Sequence, residues 1–247
     1  MKPYNVLMLC MKTMVHGVFL VLCVLFALLG CQESRKYDSS QETSGAVPLP
    51  NAAEHNATTF AYDKAAIEEL RRNKDSAFRY ASWSPLTDFD KERFKGLSYF
   101  PVQAHYCVDA RFEPLTDAET IIVETTQPTD YRKMRRVGIL RFVLGQDSCQ
   151  LTGYVDKDQA KQAQSRGDAV VMGVYFKDRT NGVSTYEAGR YLELQYVEGA
   201  TAYTLDFNRA FTPYCAYNDS YACPLVPKEN ILSIAIEAGE KMYRKPF

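Results

Sequence analysis

The stretch DFNRAFTPYCAYNDSYACPLVPKEN, Asp206 to Asn230, gathers Asp, Asn, Tyr, Cys and Pro between an apparent strand and an Ile-rich segment. Loops this long inside a compact domain are uncommon and often functional. Its residue types suit two kinds of chemistry. Tyr214, Tyr217, Asn218 and Asn230 offer amphipathic contact area and adaptable donors and acceptors, the materials of a binding rim. Asp206 or Glu229 can serve a hydrolase as general base, with Arg190 as anion clamp. No recognised order of nucleophile, base and oxyanion donors accompanies them.

A third set, His105, Cys107 and Asp109, lies in HYCVD on one face of an expected strand. Residues two apart in a strand are separated by about 7 Å, too far for a direct thiol–imidazole hydrogen bond. A polar outer strand face is the expected reading.

Seven cysteines are present. Cys10 and Cys23 fall within the first thirty residues and Cys31 just after them. Cys107, Cys149, Cys215 and Cys223 remain, and three full pairings are possible. Cys215 and Cys223 share one loop and are the expected disulfide. Closing so short a loop stabilises by roughly 2.5 kcal/mol on the chain-entropy model. Their spacing is not that of a zinc finger and no His is near, so neither metal nor cofactor is expected.

These groups need elements to hold them. Asp63 is placed to cap a helix over KAAIEELRRNKDSAF, with Ile67, Leu70, Ala77 and Phe78 as its apolar stripe. SPLTDFDKERFKG reads as a turn and a second short helix. Period-2 segments then follow: 97–101, 106–112, 120–125, 136–144, 149–155, 169–176, 185–191 running into 192–197, 201–207 and 232–238. DQAKQAQSRG interrupts them as one or two helical turns. Asn181-Gly182 is a tight-turn signal. Many short strands with short connections predict a mainly β (α+β) fold, an antiparallel sandwich or barrel with the N-terminal helices packed on it. A three-residue loop at Glu198–Ala200 would pair Val197 with Thr201 and set Tyr191 opposite Phe207. Arg190 would then lie diagonal to Asp206, with Asn208 on the same face.

The N-terminus bears on location. Lys2 and Lys12 flank a short charged region, and the apolar run from Met14 to Leu29 follows. That run spans roughly 24 Å, short of the roughly 30 Å hydrocarbon core, which suits a secretory h-region better than a spanning helix. Leu28-Leu29-Gly30-Cys31 resembles a bacterial lipobox. The resemblance implies cleavage after Gly30 and lipid on Cys31, giving a signal peptide at 1–30. Residues 31–59 have almost no large apolar side chain and read as a tether with a reach on the order of 30 Å. Residues 60–247 form the expected single domain. Gln32, where some lipoproteins retained at an inner membrane carry Asp, favours the outer membrane of a cell envelope. A net charge of −1 without a basic stripe disfavours nucleic acid. The expected partners are the membrane, through Cys31, and an unidentified small molecule or envelope component.

GVSTYEAGRYLEL, LDFNRAFTPYCAYN, CPLVPKEN and AGEK resemble the signature of the domain of unknown function 1684 family. NKDSAF, SPL and GLSYFP fit its N-terminal part. The resemblance runs from about Asn73 to Lys241. It implies that Arg190, Tyr191, Asp206, Asn208, Tyr214, Cys215, Tyr217, Asn218, Cys223, Pro224, Glu229, Asn230, Gly239 and Glu240 hold signature positions, and it implies no activity. One departure stands out. After YFP the family pattern has Asp and then Tyr-Arg, where this chain has Gln103 and Tyr106-Cys107. The leading expectation is a lipid-anchored binding module whose mouth is built by Arg190, Tyr191, Asp206, Asn208 and the Tyr214–Asn230 loop. The alternative is the hydrolase.

Overall fold

The computed structural model describes residues 61–116 and 119–245. The expected signal peptide, the tether and Cys31 lie outside these residues. Helix α1 is Lys64–Tyr80, and the Asp63 carboxylate caps it by accepting from the Ala66 N–H at 3.0 Å. Its buried side chains are Ile67, Lys74 and Phe78. Helix α2 is Asp88–Arg93, capped by Thr87.

The strands are β1 (Cys107–Pro114), β2 (Thr120–Glu124), β3 (Tyr131–Leu144), β4 (Asp147–Asp156), β5 (Val171–Phe176), β6 (Arg190–Gln195) and β7 (Ala202–Asp206). Helix α3, Lys157–Arg166, joins β4 to β5. All strand pairs are antiparallel, in the order β6-β5-β4-β3-β1-β7, with β2 beside the first half of β3. The sheet curls into a half-barrel. A bridge between Tyr191 and Phe211 ties β6, at one end of this order, to the chain just beyond β7, at the other.

Two apolar clusters use alternate faces of the strands. Leu140, Phe142, Leu151, Met172, Val174, Phe176, Leu192 and Leu205 meet on one face. Tyr154, Tyr175 and Tyr191 point the other way and pack with Phe78, Phe211, Tyr214 and Tyr217. Both faces of β4 and β5 are therefore covered. This is why Leu151–Asp156 and Met172–Phe176 are buried without interruption and do not alternate. Gly138 marks a bulge in β3, and a Cβ there would lie 2.2 Å from the Phe112 ring.

Several expected elements differ. DQAKQAQSRG lies within α3, a ten-residue helix capped by Asp156 and stopped by Gly167 in the left-handed region. Residues 185–189 are turn rather than strand. Asn181 holds this bend, accepting from the Asp178 N–H and donating to the Tyr186 carbonyl, each at 2.6 Å. Residues 97–101 contribute one bridge, Tyr99 to Glu240.

Two corrections reach the proposed site. Strands β6 and β7 are not partners: β6 pairs with β5 and β7 with β1. The Glu198-Gly199 turn forms, but the Tyr203 hydroxyl accepts from the Val197 N–H at 3.1 Å, where Thr201 was expected to pair. Second, residues 232–238 form no strand. The carbonyls of Ile236, Ala238 and Glu240 bond to the Arg190 guanidinium instead of to a neighbouring strand. A planar cation with five donors satisfies the backbone of a segment that no ladder reaches.

Candidate functional site

Arg190 opens β6 opposite Phe176, so the turn-rich segment after β5 passes beside it. From that segment Asp178 meets the guanidinium at 2.8 Å, and both side chains are 0% exposed. Asp178 Oδ1 also accepts from the Thr180 N–H at 2.8 Å and the Thr180 hydroxyl at 2.6 Å. Burial pulls the Arg190 pKa down, and Asp178 opposes the shift. The expected Arg190–Asp206 contact is replaced by Arg190–Asp178, because register places Asp206 on β7, opposite Cys107 of β1.

Asp206 has its own task. Its Oδ1 accepts from the Asn208 N–H at 3.0 Å and from Asn208 Nδ2 at 2.8 Å, fixing the 3₁₀ turn Phe207–Arg209. Arg209 stands 3.4 Å from Oδ2. Asn208 also exchanges two hydrogen bonds of 2.9 Å with the backbone of Gln103. These contacts use the backbone of residue 103 and not its side chain. Cys107 lies in register with Asp206. Burial and then the Asp206 carboxylate push its thiol up to about 11, the reverse of an activated nucleophile. His105 belongs to a 3₁₀ turn and not to the strand.

The loop is equally engaged. Asn230 accepts from the Thr152 N–H at 2.7 Å and donates to the carbonyls of Thr152 at 2.9 Å and Tyr175 at 2.8 Å. Its amide thus fastens the loop to β4 and β5. Tyr191 donates to the Pro224 carbonyl. Tyr214 and Tyr217 pack edge-on against Phe78 of α1. Tyr217 donates to Glu240 Oε2 at 2.8 Å, as does the Thr212 N–H at 2.8 Å, while Lys74 of α1 pairs with Oε1. Gly239, with φ +73°, brings the chain past Ala210 so closely that a Cβ would lie 2.4 Å from the Ala210 carbonyl.

Cys215 and Cys223 adjoin as buried cysteines, with the Cys215 N–H donating to the Cys223 sulfur at 3.3 Å; the expected bridge is not formed. A hydrogen bond from Cys223 holds Cys215 down to about 7; burial opposes it, and Thr126 and Tyr186 assist. Cys107 and Cys149 are free.

Of the nine candidate binding residues, Arg190, Tyr191, Asp206, Asn208, Tyr214, Tyr217 and Asn230 are buried. Asn218 and Glu229 remain at the surface. Asn218 donates to the Pro85 carbonyl at 3.1 Å and accepts from Ser220. Glu229 lies beside β3 and β4. Its Oε1 accepts from the Tyr154 hydroxyl at 2.8 Å and lies 3.0 Å from Arg136 Nη2. Residues 136 and 154 are cross-strand neighbours, so the sheet presents both to one carboxylate. Burial alone would raise the Glu229 pKa. A backbone N–H, Tyr154 and Arg136 outweigh it, and the carboxyl titrates below its ordinary value. Its contribution to stability is therefore complete above the unfolded carboxyl range and is lost as pH falls through the lower folded value.

Sequence reading missed Asp178, Lys74, Tyr154 and Arg136. Lys74 had a signal: it follows Ile67 and Leu70 and precedes Phe78 at helical spacing, so a charge sits on the apolar stripe. Asp178 had none, because its partner is set by a strand register.

The family model described as "Protein of unknown function (DUF1684)" matches residues 92–241. The chain belongs to that family. An uncharacterized protein of Haloarcula marismortui, solved by solution NMR, is 31% identical with a TM-score of 0.55. The match covers 72% of this chain and 92% of that one. A search of curated proteins finds no match. Within this DUF1684 domain, buried Arg190, Asp206, Asn208, Asn230 and Glu240 all bond internally. These residues have structural work irrespective of any ligand.

Proposed function

We propose that this DUF1684 protein is a lipid-anchored binding module of the bacterial cell envelope. Its site is the rim around Glu229, which the buried Tyr154 and the partly exposed Arg136 hold in place, with Asn218 farther along the loop. The observation that carries this reading is the Glu229 carboxylate, a signature residue left at the surface and held by two sheet side chains. A carboxylate kept ionised and oriented is an acceptor, so the ligand class is a small molecule or envelope glycan bearing hydroxyl or amine donors. The hydrolase reading is weaker. Arg190 is enclosed and cannot clamp a substrate beside Glu229, and a carboxyl titrating low is a poor base near neutral pH.

Thermal shift against a metabolite and glycan library tests the module. The wild-type chain is expected to gain stability with at least one hydroxylated or amino compound, and Glu229→Gln to lose that gain. No stabilising compound, or an undiminished gain in the variant, overturns the reading. Turnover that disappears with Glu229→Gln would favour the enzyme.

The anchor rests on LLGC at the end of the apolar run. Wild-type protein is expected to take up labelled fatty acid in cells and Cys31→Ser to take up none. Label retained on the Ser variant would exclude lipidation at this residue. Export also exposes Cys215 and Cys223 to oxidants, and the adjacent thiols are expected to pair. Peptide mapping without reduction is expected to find them joined in protein from the envelope; two free thiols there would refute the pairing.

A further inference from the structure

Large apolar side chains are exposed at several places among the described residues. One short segment holds three aromatic ones. Between the last turn of α1 and helix α2, Tyr80 is 75% exposed, Trp83 42% and Phe89 56%. The segment is braced from within. Ser84 donates to the Phe78 carbonyl at 2.5 Å, and Leu86 N–H donates back to Ser84 Oγ at 3.2 Å. Arg79 donates to the Phe94 carbonyl, linking the end of α1 to the end of α2. Phe78, Leu86 and Phe94 supply the apolar filling beneath. The three outer rings lie outside this filling and keep much of their surface exposed. Two of them carry arginines: the Arg93 guanidinium lies 3.7 Å from the Phe89 ring centroid, and that of Arg79 5.9 Å from Tyr80.

We infer that the Tyr80–Trp83–Phe89 corner is a second membrane contact that seats the domain on the bilayer interface. Trp and Tyr settle at headgroup depth because one part of each ring system is apolar and another donates a hydrogen bond. Arginine packed over an aromatic ring keeps its charge toward water and phosphate while its stem covers apolar surface. The occupant is chosen by the chain outside the described residues. This inference rests on the proposed anchor at Cys31, from which residues 32–59 lead to the domain. Such an anchor keeps the corner at high effective concentration beside the bilayer, so a weak contact suffices. Acidic and basic side chains are mixed here: Lys91 stands 3.6 Å from Asp88 and Arg93 3.8 Å from Glu92. The contact is therefore led by the aromatic rings and depends little on anionic lipid or salt.

Trp83 is the only tryptophan of the chain, so its fluorescence reports this corner alone. The test uses the full chain purified from membranes and placed in phosphatidylcholine vesicles, with and without brominated acyl chains. Mass spectrometry and co-flotation report the anchor independently. The Trp83 emission is expected to shift to shorter wavelength and to be quenched roughly two-fold by brominated lipid, as for a side chain at the acyl boundary. Tyr80→Ser with Phe89→Ser is expected to remove most of the quenching, with co-flotation and thermal unfolding unchanged. Acylated, co-floating protein with unquenched Trp83 overturns the inference and leaves the anchor standing. Unacylated protein that is still quenched supports the corner and refutes the anchor. Absent quenching together with crosslinking of Trp83 segments between two copies shows that a second protomer covers the corner, and also overturns the inference.

Discussion

Arg190→Ala is expected to lower the unfolding free energy by about 3–5 kcal/mol, because it leaves Asp178 as an uncompensated buried charge. The loss is larger than that of one ion pair. Arg190 is 0% exposed and also satisfies the carbonyls of Ile236, Ala238 and Glu240. Without it, a segment that belongs to no strand has three acceptors to satisfy. Arg190→Lys is expected to recover only part of the loss, since an ammonium cannot reproduce the planar fork. Urea unfolding of the three proteins measures this directly. A change below about 1 kcal/mol, the range of exposed ion pairs, would mean that Asp178 and the 236–240 segment find other partners.

Glu240→Ala is expected to cost about 3–5 kcal/mol, by leaving the Lys74 ammonium buried without its counter-charge. Lys74 and Glu240 pair with side chains 7% and 3% exposed. Lys74 also lies 5.2 Å from the Phe78 ring centroid and 5.0 Å from that of Phe211. Glu240 further receives the Thr212 N–H and the Tyr217 hydroxyl, so its loss frees the loop as well as the helix. Lys74→Met in the Glu240→Ala background is expected to restore part of the stability, because it removes the stranded charge and keeps the stem. A double-mutant cycle isolates the pair. Additive single effects would show that the two charges are uncoupled and that Glu240 acts only through the loop.

Both predictions concern residues that the sequence resemblance picked out, and both roles are structural: each is a buried charge with several internal partners. The exposed carboxylate of Glu229 belongs to another class, since its Oε1 partners leave it facing solvent. Function is sought there for that reason.

The sequence by itself determined the local elements. Asp63 capped α1, the apolar stripe set the face of that helix, and period-2 runs overlapped each of β1 to β7, although β3 begins five residues earlier than expected, the run at 185–189 is not strand and the runs at 97–101 and 232–238 form none. These features depend on neighbours along the chain, through capping bonds and side-chain alternation, so they are legible in one dimension. The loop from Asp206 was also legible as a segment too rich in hydrogen-bonding side chains to be idle. Tertiary structure decided which strands meet. The Glu198-Gly199 turn suggested a β6–β7 hairpin, but curling gives β6 to β5 and β7 to β1. That single change moved Arg190 from Asp206 to Asp178 and converted the anticipated ligand clamp into a clamp on the backbone of residues 236–240. Separately, the β3–β4 register sets Arg136 beside Tyr154, and the folding back of the loop brings the distant Glu229 to both. Partner choice between strands depends on how both sheet faces are filled and how the sheet closes, and no local sequence pattern encodes either.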